Sequence, residues 1–324
     1  MAKPKLAFYW CSSCGGCEES VIDIGPRLIQ IAEVADIVFW PAAIDTKYSD
    51  LQLFEDGSIA ACFINGSIRM DEHEQMVRLL RKKARLVIAH GACAHIGGVY
   101  GLGNFYSTED LLSYSYEHCP TLEHSSNAAF PSLSENSDTS MGLSRLLPMV
   151  SALDQVVPVD YYIPGCPPVP DWVFRAINAV LGTEPFPDNR IFAEKKALCD
   201  SCPRRENKPD KIKLTRFKRP HESQLDPETC FLAQGILCLG PVTRGGCGSR
   251  CISANMPCRG CFGPLDNVFD QGMKGLSFLA TLINDLTPDN IDEIISSIPD
   301  LGGILYRYSL PTSILRGHVK ARKK

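Results

Sequence analysis

Cysteine is the residue type in this chain whose number and spacing point to chemistry. There are fifteen in 324 residues. Eight fall between Cys199 and Cys261: a CxxC pair at Cys199 and Cys202, then Cys230, Cys238, Cys247 and Cys251, and a second CxxC pair at Cys258 and Cys261. Thiolates at such spacing bind soft metals, as zinc or as iron-sulfur centres. Glycine and proline are scattered among them (Gly235, Gly240, Pro241, Gly245, Gly246, Gly248, Pro257, Gly260, Gly263, Pro264), so the backbone can curl around an inorganic centre. Little in this stretch reads as a hydrophobic core, and the expectation is that something other than apolar burial holds it together.

Four further cysteines need a scaffold to bring them together. Lys5 to Trp10 is a short apolar run that fits a buried strand, and it ends in Cys11-Ser-Ser-Cys14-Gly-Gly-Cys17. Apolar residues at helical spacing (Val21, Ile24, Leu28, Ile31) then predict a helix over Glu18 to Ala32, with Glu18 and Glu19 in its first turn. Further strands are predicted at Asp36 to Ala42, Ile59 to Ile68, Arg85 to His90 and Val159 to Ile163. Helices are predicted near Asp71 to Lys83, Asp171 to Leu181 and Leu276 to Leu286. Strands alternating with helices at this spacing predict an α/β fold, a doubly wound parallel sheet whose ligand sits beyond the carboxyl ends of the strands. Cys14, Cys17, Cys93 and Cys166 all follow predicted strand ends and make a complete ligand set for a 4Fe-4S cluster. A lone Cys93 or Cys166 would otherwise read as a small buried residue.

Bulk composition narrows the class. A hydrophobic fraction of 44% with 22% charged residues is that of a globular protein. A formal charge of -4 gives no reason to expect nucleic acid. No run of apolar residues is long enough to span a membrane, and MAKPKLAFYW has no twin-arginine run or cleavage site. The expected location is the cytoplasm, where many cysteines point to metal rather than disulfides.

Four motifs in order then carry a resemblance: Cys14-Gly-Gly-Cys17-Glu-Glu-Ser20, GxCAxxGG over Gly91 to Gly98, PGCPP over Pro164 to Pro168, and GPVTRGGC over Gly240 to Cys247 ahead of Cys258 to Cys261. Together they resemble the small, electron-transfer subunit of NiFe hydrogenases, over Lys5 to about Pro264. The resemblance implies a flavodoxin-like domain (1–190) holding the proximal cluster on Cys14, Cys17, Cys93 and Cys166. An iron-sulfur domain with little regular structure (191–270) follows, then a C-terminal helical segment and basic tail (271–324). Within the iron-sulfur domain it places Cys199, Cys202, Cys230 and Cys238 at the distal cluster and Cys247, Cys258 and Cys261 at the medial one.

Departures from the family pattern add detail. Many members open the distal site with histidine, where this chain has Cys199. Many have a three-cysteine medial site holding 3Fe-4S, whereas Cys251 here offers a fourth thiolate. The expectation is three 4Fe-4S clusters of low potential, in a cytosolic enzyme similar to the methyl-viologen-reducing, non-deazaflavin-reducing hydrogenases of methanogens. Gly16 and Gly98 stand where oxygen-tolerant members place extra cysteines, which implies oxygen sensitivity. No catalytic residue is expected in this chain. Hydrogen would be split at a NiFe centre in a partner large subunit. Electrons would leave to an iron-sulfur or flavin subunit, such as a heterodisulfide-reductase-type complex.

Two rival readings remain at this level. A complex I-like quinone-oxidoreductase subunit shares the proximal-type fold but usually lacks a second cysteine field. A zinc-ribbon nucleic-acid binder would use the CxxC pairs beside the basic run Pro203 to Pro220, but leaves the parallel-sheet half and the net negative charge unexplained. That run could equally steer an acidic acceptor or be a solvated linker. Cys11 is close enough to Cys14 to compete as a ligand, Cys62 reads as core, and Cys119 lies in a serine-rich stretch, Ser113 to Ser144, that suggests a partner contact or an insertion. His90, His95, Glu18 and Glu19 could tune a cluster or carry protons, or could be structural.

Overall fold

The computed structural model describes residues 2–123, 144–283 and 287–317. Its strands are β1 (Lys5–Trp10), β2 (Asp36–Phe39), β3 (Ile59–Asn65), β4 (Ile68–Met70), β5 (Ala84–His90), β6 (Leu146–Ser151) and β7 (Tyr161–Ile163). The first half carries helices α1 (Gly16–Ile22), α2 (Arg27–Val34), α3 (Tyr48–Leu53), α4 (Asp71–Lys83), α5 (Ala92–Ile96), α6 (Thr108–Ser113) and α7 (Pro170–Leu181). The second carries α8 (Arg250–Ser253), α9 (Gln271–Ala280), α10 (Pro288–Ser296) and α11 (Leu301–Leu305).

Five strands form a parallel sheet in the order β2-β1-β3-β5-β7, the α/β doubly wound arrangement that the alternation predicts. Every residue of β3, the central strand, is buried, as both-face coverage requires. Successive residues serve opposite faces: Ala7, Tyr9, Cys62 and Ile64 pack with Met76, Val77 and Leu80 of α4. Leu6, Phe8, Ala61 and Phe63 pack with Val21, Ile31 and the α7 residues Val173 and Ile177. Each large apolar side chain buried this way contributes ~1.5–3 kcal/mol.

Two predicted elements are divided. The helix expected over Glu18 to Ala32 is two helices, α1 and α2, because Gly25 turns at φ 69 and Pro26 follows without an N–H. The strand expected through Ile68 ends at Asn65, because Gly66 has φ 85 and packs so closely on the Cys11–Ser12 backbone that a Cβ would lie 2.7 Å from the Cys11 carbonyl carbon. The turn sends β4 away to pair antiparallel with β6.

The cysteine-rich half departs from expectation in having an apolar core. Leu198, Leu214, Phe217, Phe231, Leu232, Ile236 and Leu239 are buried together with Leu279, Ile294, Leu305 and Leu310. The cysteine-rich stretch supplies the larger part of this core. α9, α10 and α11, distant in sequence, supply the rest. The helix expected at Leu276 to Leu286 overlaps α9, which packs on this core but starts at Gln271 and ends at Ala280, where the chain turns so that Ile283 can bridge to Leu214; residues 284–286 lie outside the described residues. So do 124–143 of the serine-rich stretch and 318–324 of the basic tail. No helix among the described residues is long and apolar enough to cross a membrane.

Candidate metal centres

The first cysteine set gathers at the carboxyl edge of the sheet. Cys14 follows β1, and Gly15, at φ 89, turns the chain into α1, which carries Cys17 in its first turn. Cys93 sits in α5 directly after β5. Cys166 follows β7. Two backbone bonds clamp the last two loops together: Gly91 N–H to the Ile163 carbonyl at 2.8 Å, and Ala92 N–H to the Gly165 carbonyl at 2.7 Å. The approach is close enough that a Cβ at Gly91 would lie 2.4 Å from Cys17 Sγ, and one at Gly98 2.3 Å from Cys93 Sγ.

Electrostatics ties the four thiols together. Burial, and then the neighbouring thiols of Cys93, Cys166 and Cys14, push the Cys17 thiol up. Cys93 is pushed up to about 12 by burial, then by Cys166 and Cys14. Thiols crowded in this way resist ionising together unless a metal cation takes up their charge, so the donor set fits a metal centre.

The second set surrounds a cavity of about 160 Å³, which Cys247, Cys251, Cys258 and Cys261 all line. Cys251, on α8, takes its place beside the other three. Positive φ values at Gly246, Gly248, Ser249 and Gly260 turn the backbone around the cavity. Cys166 of the first set also lines it. Burial, then the neighbouring thiols of Cys166 and Cys247, push the Cys261 thiol up to about 12, and the Cys166 backbone draws it back.

The third set is Cys199, Cys202, Cys230 and Cys238. Cys199 and Cys238 flank Gly240, where a Cβ would meet their Sγ atoms at 3.2 and 3.6 Å. Burial, followed by Cys238, Cys202 and Cys230, pushes Cys199 up to about 12, against the pull of Lys208. Cys258 of the second set is raised by burial and then by Cys238; its carbonyl accepts from the Leu239 N–H at 3.0 Å, and the Gly240 Cβ position that meets Cys238 Sγ at 3.6 Å meets Cys258 Cβ at 4.0 Å. Contacts thus run from the first set to the second through Cys166 and Cys261, and from the second to the third through Cys258 and Cys238. Among the described residues no three His, Cys, Asp or Glu side chains converge on a point that suits one metal ion. A four-iron cubane attaches each thiolate to a different iron.

The remaining candidates sort by burial. Cys11 points into the core beside Cys62 rather than towards Cys14. Cys119 bonds Thr121 Oγ1 at 3.1 Å. Glu18 is buried and accepts hydrogen bonds from Trp40 Nε1 and Asn65 Nδ2, with its carboxyl pKa raised by burial; Glu19 stays exposed. His90 contacts Ser20 Oγ at 3.0 Å. His95 is buried, and among the described residues its Nδ1 has no hydrogen-bond partner.

Two positioning residues escaped the sequence reading. Arg244, only 1% exposed, pairs with Asp266 at 2.7 Å, and its backbone N–H bonds the Gly263 carbonyl at 3.0 Å, pinning together the loops that carry Cys247 and Cys261. Gln271 Nε2 bridges Thr243 Oγ1 and the Gly260 carbonyl at 3.1 and 3.2 Å. Only the place of Arg244 inside GPVTRGGC hinted at a role. Arg204, from the basic run, is also buried and lies 3.8 Å over the Phe231 ring.

The iron-sulfur subunit of the F420-non-reducing hydrogenase of Archaeoglobus profundus is 38% identical over 317 residues, covering 96% of this chain and 97% of that one. The chain belongs to the family of F420-non-reducing hydrogenase iron-sulfur subunits. It is therefore a hydrogenase subunit. Another relative in this family, from the F420-non-reducing vhu hydrogenase of Methanocaldococcus jannaschii, is 35% identical over 98% of each chain. The family described as NADH ubiquinone oxidoreductase, 20 Kd subunit, matches residues 14–180, which contain the first cysteine set and neither of the others. The reduced, active Ni-Fe-Se hydrogenase from Desulfomicrobium baculatum shares the fold, with a TM-score of 0.50 and 17% identity over 88% of this chain and 100% of that one.

Proposed function

We propose that this chain is the electron-transfer small subunit of a cytoplasmic NiFe hydrogenase, and that H2 is split in a separate large subunit. Cys14, Cys17, Cys93 and Cys166 would hold a proximal 4Fe-4S cluster, Cys247, Cys251, Cys258 and Cys261 a medial one, and Cys199, Cys202, Cys230 and Cys238 a distal one. Such clusters supply one-electron relay between the large subunit and an acceptor. The observation that carries the reading is the continuity of the three sets: Cys166 lines the cavity of the second set, and Gly240 has Cys199 and Cys238 of the third set and Cys258 of the second around it.

The chain's own residues orient and tune these sets. The Cys166 and Cys258 backbones favour thiolate charge at Cys261 and Cys238, and Arg244 and Gln271 fix the loops that present them. Cys14 and Cys166 lie on an exposed edge, with Trp10 at 42%, Val99 at 45% and Tyr100 at 44% exposed nearby. The large subunit would cover this face and exclude water from it. All-thiolate medial and distal sets favour low potentials, suited to an acceptor such as a flavin or iron-sulfur subunit of heterodisulfide-reductase type. The relatives are named for not reducing F420, which supports a different acceptor here. A complex I-like role is disfavoured because Cys199 to Cys261 lie outside the residues that match that family.

Metal and sulfide analysis with low-temperature EPR on the anaerobically purified complex tests the reading. About twelve irons on this subunit, with no 3Fe-4S signal after mild oxidation, is the expected result. Zinc in place of iron would sink it. A 3Fe-4S signal would remove Cys251 from the ligand set.

A further inference from the structure

A groove of about 340 Å³ opens on the outside of the cysteine-rich half, and its charges are unbalanced. Lys218, Arg219, Arg259 and Arg307 line it against a single carboxylate, Asp300, which already accepts a hydrogen bond from the Gly303 N–H at 2.8 Å. Lys218 and Arg219 are exposed at the rim, whereas Arg259 and Arg307 are half-buried and close enough to repel each other. Among the described residues neither guanidinium has a hydrogen bond or an ion pair, and Arg307 Nε is buried without a partner. Two half-buried guanidinium groups that line one groove and repel each other are costly unless an anion joins them. Planar N–H forks of this kind match the geometry of phosphate oxygens. Four cations against one occupied carboxylate suit a ligand with two or more negative charges better than a lone carboxylate.

We propose that this groove is a binding site for a phosphate-class polyanion, and that its occupancy lowers the reduction potential of the medial and distal centres. Arg259 is the chain neighbour of Cys258 and also lines the medial cavity. Leu237, on the groove wall, precedes Cys238. Negative charge placed against Arg259 therefore lies beside two thiolate sets and opposes the arrival of an electron at either. The binding site stands on the groove alone, while the coupling rests on the cluster reading given above.

Calorimetry with inorganic pyrophosphate on the anaerobically purified complex, at low ionic strength, tests the site. Arg307→Gln, which removes a groove cation that does not line the medial cavity, is expected to weaken binding by about tenfold or more. Arg307→Lys should recover part of the affinity, and Arg85→Gln, on the far side of the sheet, should leave it unchanged. Failure of pyrophosphate to bind, or equal binding by Arg307→Gln, overturns the site whether or not clusters are present. EPR-monitored redox titrations with and without pyrophosphate test the coupling. A tenfold preference for the oxidised state would lower a one-electron potential by about 59 mV, and the shift should vanish in Arg307→Gln. Binding that depends on Arg307 but leaves the potentials unmoved overturns the coupling and leaves the site standing.

Discussion

The two halves of this protein position cysteines by different means. In the sheet half, strand ends and tight glycine turns place Cys14, Cys17, Cys93 and Cys166 on a scaffold that apolar burial builds on both faces of β3. In the cysteine-rich half, short turns carry eight cysteines, and the apolar core beneath them is completed only by α9, α10 and α11. Metal removal should therefore separate the halves. After iron is stripped anaerobically with a chelator, amides of 191–270 are expected to lose hydrogen-exchange protection by at least about a hundredfold, roughly 2.7 kcal/mol. Amides of β1, β3 and β5 should keep theirs. Equal protection in both halves would mean that the apolar core alone holds the second half together.

Within the sheet half, geometry gives the next largest effect. Gly91→Ala puts a Cβ 2.4 Å from Cys17 Sγ at a backbone φ of 89, a conformation that costs an alanine ~1–3 kcal/mol before the clash is counted. Loss of about four irons from the proximal site is expected, with the sheet still folded. Iron analysis and circular dichroism on the same sample check it. In the other half, Phe231→Ala removes a ring that is 2% exposed and that Arg204 covers. A cost of ~3–5 kcal/mol is expected, read as a lower unfolding temperature, with the sheet amides unaffected.

The same contrast explains what the sequence could reveal. β1 is found at the apolar run Lys5–Trp10, and α4 at Asp71–Lys83, where a polar helix is expected, because regular elements show themselves in the composition of neighbouring positions. The split between α1 and α2 was available in Gly25-Pro26, but the apolar positions continue across it. The second core was not legible. Leu198 and Leu310 share it from opposite ends of the half, and no local pattern encodes a pairing at that distance. The gathering of Cys14, Cys17, Cys93 and Cys166 could be read from strand ends. Arg244 could not, because a buried arginine is recognisable only once its partner Asp266 is in place.

Cys251→Ser tests a finer point of the cysteine-rich half. Cys251 is on the exposed side of its cavity, so its loss should remove about one iron from the medial centre without unfolding the loops. A new 3Fe-4S EPR signal is the expected outcome. An unchanged spectrum would leave Cys251 without a ligand role.

The smallest effect belongs to a buried histidine of the sheet half. His90 is fully enclosed, and burial holds its pKa down to about 3. Ser20 Oγ donates to the Cys17 carbonyl at 2.6 Å, so its contact with His90 Nε2 is one in which the ring donates and Ser20 accepts. The folded state therefore keeps a neutral imidazole, while the unfolded chain takes up a proton below its ordinary pKa of about 6.5. Between those two values the unfolded state binds more protons, so stability is full above about pH 6.5 and falls with acidification at up to ~1.4 kcal/mol per pH unit. His90→Gln can still donate to Ser20 but cannot titrate. Its sheet amides should lose less protection between pH 7 and pH 5.5, by up to ~1.4 kcal/mol, than those of the unaltered protein. Parallel pH profiles for the two proteins would mean that His90 takes no part in the acid response, which would then have to come from other groups such as the buried His95, whose pKa burial also holds down to about 3.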